Sequence, residues 1–222
     1  MRVNMSQFRQ WAKKAVVVGV LVFAGNAASA QSAEANNNPY VKLGQKAVID
    51  GDFKAAVANL EKALPSDPDN AIVLYMLGYS QYQSNDYKGA IKSFTSVIKV
   101  GSNDVVSAYY WRAKAQNVLA VDPDSKLNDN QRSKLLEASI ADYNAAIQLD
   151  NADLKNYQNR AMAYRDLGNL VGTATSKNFN KGLAAGYYDN AIRDLQLVLK
   201  RNPGRKDVSQ ELKKLKVYKE SL

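Results

Sequence analysis

The chain has 222 residues, 46% of them apolar and 23% charged, which is enough to build a sizeable hydrophobic core. It contains no cysteine and no histidine, so disulfide bonds, thiolate nucleophiles and histidine-based catalysis or zinc binding are excluded. The formal net charge is +9, but four of the 30 basic residues and none of the 21 acidic ones lie in the first 30 positions. The rest of the chain has a net charge of only +5, which argues against nucleic-acid binding.

The first 30 residues have the layout of a secretory signal peptide. Four basic residues precede the apolar run AVVVGVLVFA, and a short stretch of small residues ends in Ala28-Ser29-Ala30. This order predicts cleavage after Ala30 and export, to the periplasm or cell envelope in preference to full secretion. The alternative is an uncleaved membrane anchor, but the apolar run is about half the roughly 20 residues that a spanning helix needs. Residues 31–38 are predicted to form a flexible leader.

Beyond the leader, the sequence repeats with a period of 34 residues. The residues one period apart are Gly44 and Gly78, Ala56 and Ala90, Leu60 and Phe94, and Pro68 and Ser102. The repeated stretches are LGQKAVIDGDFKAAVANLEKALPSDP and LGYSQYQSNDYKGAIKSFTSVIKV. Leu-Gly early, Ala in the middle, a large apolar residue four later and Pro at the close resemble the tetratricopeptide repeat. The resemblance implies an all-α fold, a right-handed α-solenoid of antiparallel helix pairs.

The residues between these positions agree with a helical hairpin. Tight turns are expected at Asp50-Gly51-Asp52 and at Ser84-Asn85-Asp86. Small alanines at the repeated positions allow the paired helices to approach closely. Asn70 and Asp104 are predicted to cap the helices that follow them. Because one hairpin cannot bury its apolar face alone, neighbouring pairs must stack.

The later repeats depart from the 34-residue period. Insertions are expected near residues 119–132 and 170–187, the second rich in small residues and partly irregular. The predicted solenoid covers residues 39–204, with repeats at about 37–70, 71–104, 106–153 and 154–204. A last amphipathic helix at 205–222 is predicted to cap the final repeat. Its lysines lie off the apolar stripe and are expected to be solvated.

No motif in the sequence indicates a catalytic site. Phosphate-binding loops of the GxxxxGK[ST] type and GxSxG elbows are absent, so we predict no enzyme activity, no catalytic residues and no cofactor. The acidic stretch from Asp122 to Asp129 has oxygen ligands on alternate residues, as a calcium loop does. However, Lys126 stands at the place of the third ligand and the central glycine is missing. A solvated loop without metal is therefore the prediction.

The resemblance implies a binding groove. In the tetratricopeptide family, the second, fifth, ninth and twelfth residues of each first helix face the concave side. Tyrosine is prominent at these places, and it combines a large contact area with a hydrogen-bonding hydroxyl. The implied peptide-binding groove is formed by Tyr75, Tyr79, Tyr82, Tyr110, Lys114, Asn117, Gln158, Asn159 and Arg165. We expect the four tyrosines of this set to be exposed; the alternative is that their rings pack between helices.

The sequence therefore predicts an exported adaptor that binds a peptide segment of another cell-envelope protein in its concave groove. The alternative is a structural subunit of an envelope or secretion assembly, held through its convex face and its insertions. The expected partner is a protein or peptide and not a nucleic acid. Membrane contact is expected only if the N-terminus is uncleaved or through the basic C-terminal helix.

Overall fold

The computed structural model describes residues 38–222, and all the secondary structure of this part is helical. The predicted signal peptide lies outside the described residues. The described chain forms two compact units, one ending at Ser102 and one beginning at Asn103. In each unit, successive helices are joined by short connections and pack against their neighbours in the chain. The predicted fold class, all-α with antiparallel helix pairs, is confirmed.

The first unit consists of two helix pairs. Helices α1 (Pro39–Asp50) and α2 (Phe53–Ala63) form the first pair, and a 3-10 turn at Leu64–Ser66 follows. Helices α3 (Ala71–Gln83) and α4 (Tyr87–Val100) form the second. Asn70 caps α3 as predicted, because its Oδ1 atom accepts a hydrogen bond of 3.0 Å from the backbone N–H of Val73.

The two hairpin turns of this unit have the same geometry. Gly51 and Asn85 both adopt left-handed backbone angles, with φ of 79° and 67°. The next residue, an aspartate in each case, caps the second helix with its side chain. Asp52 accepts from the N–H of Ala55 at 3.0 Å, and Asp86 accepts from that of Gly89 at 2.9 Å. The turns predicted at these two places are therefore confirmed.

Close helix packing explains the repeated glycines and apolar residues. A Cβ atom on Gly44 would lie 2.7 Å from the side chain of Leu60, and one on Gly78 would lie 3.1 Å from the ring of Phe94. Leu60, Phe94 and the alanines at 56 and 90 are fully buried. Residues at equivalent positions thus make equivalent contacts in the two helix pairs.

The second unit contains five helices of greater length. They are α5 (Val105–Val121), α6 (Asp129–Leu149), α7 (Leu154–Gly172), α8 (Lys181–Arg201) and α9 (Lys206–Glu220). Asp104 occupies the N-cap position of α5 as predicted, and its backbone carbonyl accepts a hydrogen bond from the N–H of Ala108 at 2.8 Å, but its side chain makes no capping hydrogen bond with the helix. The turn before α5 leaves the backbone of Asp104 with ψ near 10°, not the extended conformation seen at Asn70.

The two predicted insertions are mostly helical. Between α5 and α6 only residues 122–128 are outside α-helix, and Asn128 with Gln131 forms a reciprocal capping box at the start of α6. Between α7 and α8 the irregular segment is 173–180. The two insertions meet, because Asp129 accepts hydrogen bonds from the Ser176 hydroxyl at 2.8 Å and the Lys177 N–H at 3.2 Å.

A single apolar cluster holds the second unit together and includes the last helix. Tyr143, Leu167 and Leu195 in the middle of the cluster are at most 1% exposed. Val208 and Leu215 of α9 are also buried in it, which covers the apolar side of α8. Among residues 38–222, no helix is both long enough and apolar enough to cross a membrane. Nor do these residues contain a cluster of three or more metal-ligating side chains.

Candidate functional site

Three of the predicted groove residues lie on α3 in the first unit, and each packs edge-on against another ring. Tyr75 lies 5.6 Å from Phe94, measured between ring centroids, and Tyr82 lies 5.5 Å from Tyr87. Both rings are half-buried. They keep part of their surface available to a partner, and their role in binding stays a prediction.

Tyr79 does not behave as expected. Its side chain is only 8% exposed, because the ring of Phe53 from α2 packs edge-on against it with centroids 5.9 Å apart. Burial also raises the pKa of its hydroxyl. The expectation that this ring is exposed is wrong: the ring is part of the packing between the two helix pairs of the first unit.

In the second unit, three of the predicted residues, Tyr110, Lys114 and Asn159, lie together beside Trp111. The Nζ atom of Lys114 is 5.7 Å from the ring centroid of Tyr110 and 5.2 Å from that of Trp111, all on α5. Burial lowers the pKa of Lys114 and raises that of Tyr110, while the nearby side chain of Asn159 on α7 partly offsets the rise at Tyr110. We call these four residues the aromatic–lysine cluster. It is a partly desolvated cation beside aromatic rings.

The polar residues predicted at the other end of the groove are engaged within the chain. Arg165 donates to Glu211 of α9 at 2.6 Å and twice to Asp166 at 2.9 and 2.8 Å. The other carboxylate oxygen of Asp166 accepts from Asn117 at 3.1 Å. The predicted basic end of the groove is therefore neutralised. The reason is that α9 places a carboxylate beside Arg165.

Gln158 is engaged in the same way. Its Oε1 atom accepts a hydrogen bond of 2.8 Å from Arg205, the residue that precedes α9. Of the predicted set in the second unit, the structure thus brings Tyr110, Lys114 and Asn159 together in one cluster. Asn117 and Arg165 meet in a separate network through Asp166, and Gln158 belongs to neither.

Comparison with known proteins identifies the repeated unit. The family model of the tetratricopeptide repeat matches residues 47–117. Over these residues the chain is therefore similar to the tetratricopeptide repeat, as the sequence pattern predicts. No protein with a curated description matches the sequence.

Solved structures of tetratricopeptide repeat proteins have a similar fold. A crystal structure of the MamA protein is 21% identical and has a TM-score of 0.51, over 82% of this chain and 90% of that one. MamA from Desulfovibrio magneticus RS-1 is 17% identical with a TM-score of 0.49, over 82% and 94% of the two chains. The TTC0263 protein of Thermus thermophilus is 16% identical with a TM-score of 0.47, over 80% and 97%. At 21% identity, the likeness to the first MamA structure concerns the fold alone.

Each helix pair of the second unit contains an arginine–aspartate ion pair that the sequence analysis did not predict. Arg112 donates to Asp142 through Nε at 2.7 Å and Nη2 at 2.6 Å. Arg160 binds Asp194 in the same bidentate way, at 2.8 and 2.6 Å, and also reaches Asn144 of α6 at 2.6 Å. These pairs join the two helices of one pair, α5 to α6 and α7 to α8.

The sequence contains a signal for these pairs. Each arginine immediately precedes the small residue of the first helix, and each aspartate stands three residues after the small residue of the second. Leu77 and Ser93 occupy the same positions in the second predicted repeat. An arginine and an aspartate that replace them together indicate that the two positions face each other.

Proposed function

We propose that this protein is an exported adaptor that binds a peptide segment of another cell-envelope protein. The proposal rests on the aromatic–lysine cluster of the second unit, which contains three residues of the predicted groove. There the ammonium of Lys114 lies over two aromatic rings, and its lowered pKa reflects lost contact with water. A cation in such surroundings gains more from a carboxylate than one in open solvent does. The proposed ligand therefore carries an acidic side chain.

The rings of the cluster suit such a ligand. Tyr110 and Trp111 are half-buried and are held edge-on to each other, with centroids 5.3 Å apart. Rings already held by packing lose little freedom on binding, and aromatic side chains are frequent anchors of binding energy. We assign no catalytic step, cofactor or metal to this surface.

The test is selection of peptides from a random display library on the purified protein, beside affinity capture from envelope extracts. We expect the selected peptides to be rich in Asp and Glu. Lys114→Gln should weaken the binding of these peptides about ten-fold, which is the usual effect of losing one charged contact. The difference in affinity should become smaller at high salt. Lys134→Gln, an exposed lysine of α6, is the matched control and should have no effect. Equal effects of the two changes would contradict the proposal.

A structural subunit is the second candidate, and the insertions favour it. Phe179 and Leu183 lie where the second insertion enters α8 and are 43% and 48% exposed. Exposed apolar side chains close together are typical of contacts in assemblies. If Phe179→Ser removes the captured partner while Lys114→Gln does not, the partner is held through the insertions and the second candidate is correct.

The charge of the last helix supports a protein partner over a membrane or a nucleic acid. Lys219 is paired with Asp189 at 2.6 Å, and Lys214 lies 3.7 Å from Glu211. Part of the positive charge of α9 is thus neutralised within the chain. Of its apolar residues, Val208 and Leu215 are buried in the core of the unit, while Val217 and Tyr218 are 60% and 39% exposed. Membrane contact remains part of the proposal only if the N-terminus is uncleaved or through the basic C-terminal helix.

Export has its own test. Because the apolar run is short and is followed by Ala28-Ser29-Ala30, protein isolated from its native host should begin at Gln31. N-terminal sequencing of the protein from the envelope fraction measures this directly. A chain that begins at Met1 and sediments with membranes would instead support the anchored form.

A further inference from the structure

A cavity of about 320 Å³ lies in the second unit among α5, α6 and α7. Its walls come from the end of α5, the first two turns of α6 and the last two turns of α7 with the residue that follows. Five of its eight lining residues belong to the predicted insertions: Ala120, Val121, Arg132, Leu170 and Thr173. Leu136, Asp166 and Asn169 lie outside them, so the cavity is formed by the insertions together with the repeat helices beside them.

The floor of this cavity is apolar and its opening has an apolar edge. Leu136 and Ala120 at the floor are each 1% exposed, and Leu170 packs against the core of the unit. Val121, the last residue of α5, also lines the cavity but is 47% exposed. An apolar group that enters would cover Val121 and rest on side chains that are already fixed by packing.

The charged groups of the wall are engaged within the chain. The guanidinium of Arg132 donates to the backbone carbonyls of Ala120, Asp122 and Leu127. Both carboxylate oxygens of Asp166 accept hydrogen bonds, from Asn117 and from Arg165. The uncharged polar side chains are engaged as well: Asn169 accepts a hydrogen bond from the Tyr188 hydroxyl at 2.8 Å, and the Thr173 hydroxyl donates to the backbone carbonyl of Asn169 at 2.7 Å. A charged ligand would lose water here and find no unengaged opposite charge in the wall, so the cavity favours an uncharged group that can rest on its apolar floor.

We propose that the cavity receives one apolar side chain, of the kind of leucine or phenylalanine, from the partner peptide. The volume is at the lower limit of ligand pockets, which suits a side chain with its flanking backbone better than a cofactor. This inference rests on the proposed function. It adds a second contact to the one at the aromatic–lysine cluster.

The position of the cavity along α5 gives the spacing of the two contacts. Lys114 and Val121 are seven residues apart, which places them on the same side of α5 and about 10 Å apart along its axis. An extended peptide rises about 3.3 Å per residue. The acidic and the apolar residue of the ligand should therefore be about three positions apart.

The first experiment uses N-acetyl-leucine N-methylamide as the probe, titrated into the full protein and followed by methyl NMR. We expect shifts at Val121, Leu136 and Leu170, and none with the corresponding aspartate amide. Val121→Asp should abolish the shifts. Leu149→Asp, at the far end of α6 and 57% exposed, is the matched control and should leave them unchanged. Both variants should melt like the parent protein; shifts that are absent, or that persist in Val121→Asp, overturn the proposal.

The second experiment uses the selected peptides and separates this inference from the proposed function. Some selected peptides will carry an apolar residue three positions from an acidic one. Val121→Asp should weaken the binding of these peptides by about ten-fold or more. If peptides bind but are indifferent to Val121→Asp, the cavity is not a subsite while the proposed function stands. If no peptide is selected but the leucine amide still binds in a Val121-dependent way, the proposed function fails and the cavity remains an apolar side-chain site.

Discussion

Tyr79→Ala is expected to lower the melting temperature of the protein by roughly 10 °C or more. The ring is 8% exposed and packs edge-on against Phe53, so truncation leaves a cavity between the two helix pairs of the first unit. Removal of a buried aromatic ring typically costs about 3 kcal/mol of unfolding free energy, and in a unit of this size each kcal/mol shifts the melting temperature by roughly 4–8 °C. Thermal unfolding followed by circular dichroism measures the effect.

Two variants of the same helix make the experiment specific. Ile72→Ala truncates a side chain that is 37% exposed, and it should change the unfolding free energy by no more than about 0.5 kcal/mol. Tyr79→Phe keeps the ring and should retain most of the stability. If Tyr79→Ala melts like the parent protein, the ring is not part of the core and the original assignment to an exposed groove returns.

Asp194→Ser is expected to destabilise the second unit by about 3 kcal/mol. The variant removes both hydrogen bonds to Arg160 and leaves a guanidinium whose side chain is only 18% exposed without its carboxylate. Loss of one partner of a buried pair is costly because the remaining charge is desolvated without compensation. Urea unfolding gives the free energy. If the loss of unfolding free energy is as small as that expected for an exposed ion pair, water solvates the guanidinium of Arg160 in the variant and the prediction is wrong.

The chain itself supplies the control for this experiment. The second repeat has Leu77 and Ser93 at the positions of Arg160 and Asp194, where they are 3% and 6% exposed. The double variant Arg160→Leu with Asp194→Ser should therefore recover most of the stability lost in Asp194→Ser alone. No recovery would mean that Arg160 also stabilises these helices through its other contact, the hydrogen bond to Asn144, which the double variant removes.

The candidate site was predicted in part. The proximity of Tyr110 and Lys114 in the aromatic–lysine cluster could be predicted, because the two residues are one turn apart on the same helix. The burial of Tyr79 could not be predicted, because Phe53, which covers its ring, belongs to another helix pair. Likewise, Arg165 looked like an open basic residue until α9 placed Glu211 beside it, 46 residues further along the chain.

The sequence by itself determined the helices, their turns and their pairing. These depend on interactions between near neighbours: the left-handed turn at Gly51, the cap of Asp52, and small residues that recur with the repeat. Only the tertiary structure decided which faces of the helices are covered, which charges are paired, and that Val121, Leu136 and Leu170 line one cavity. Periodicity shows which side chains share a helix face, but what lies against that face depends on residues distant in the chain, whose positions follow only from packing.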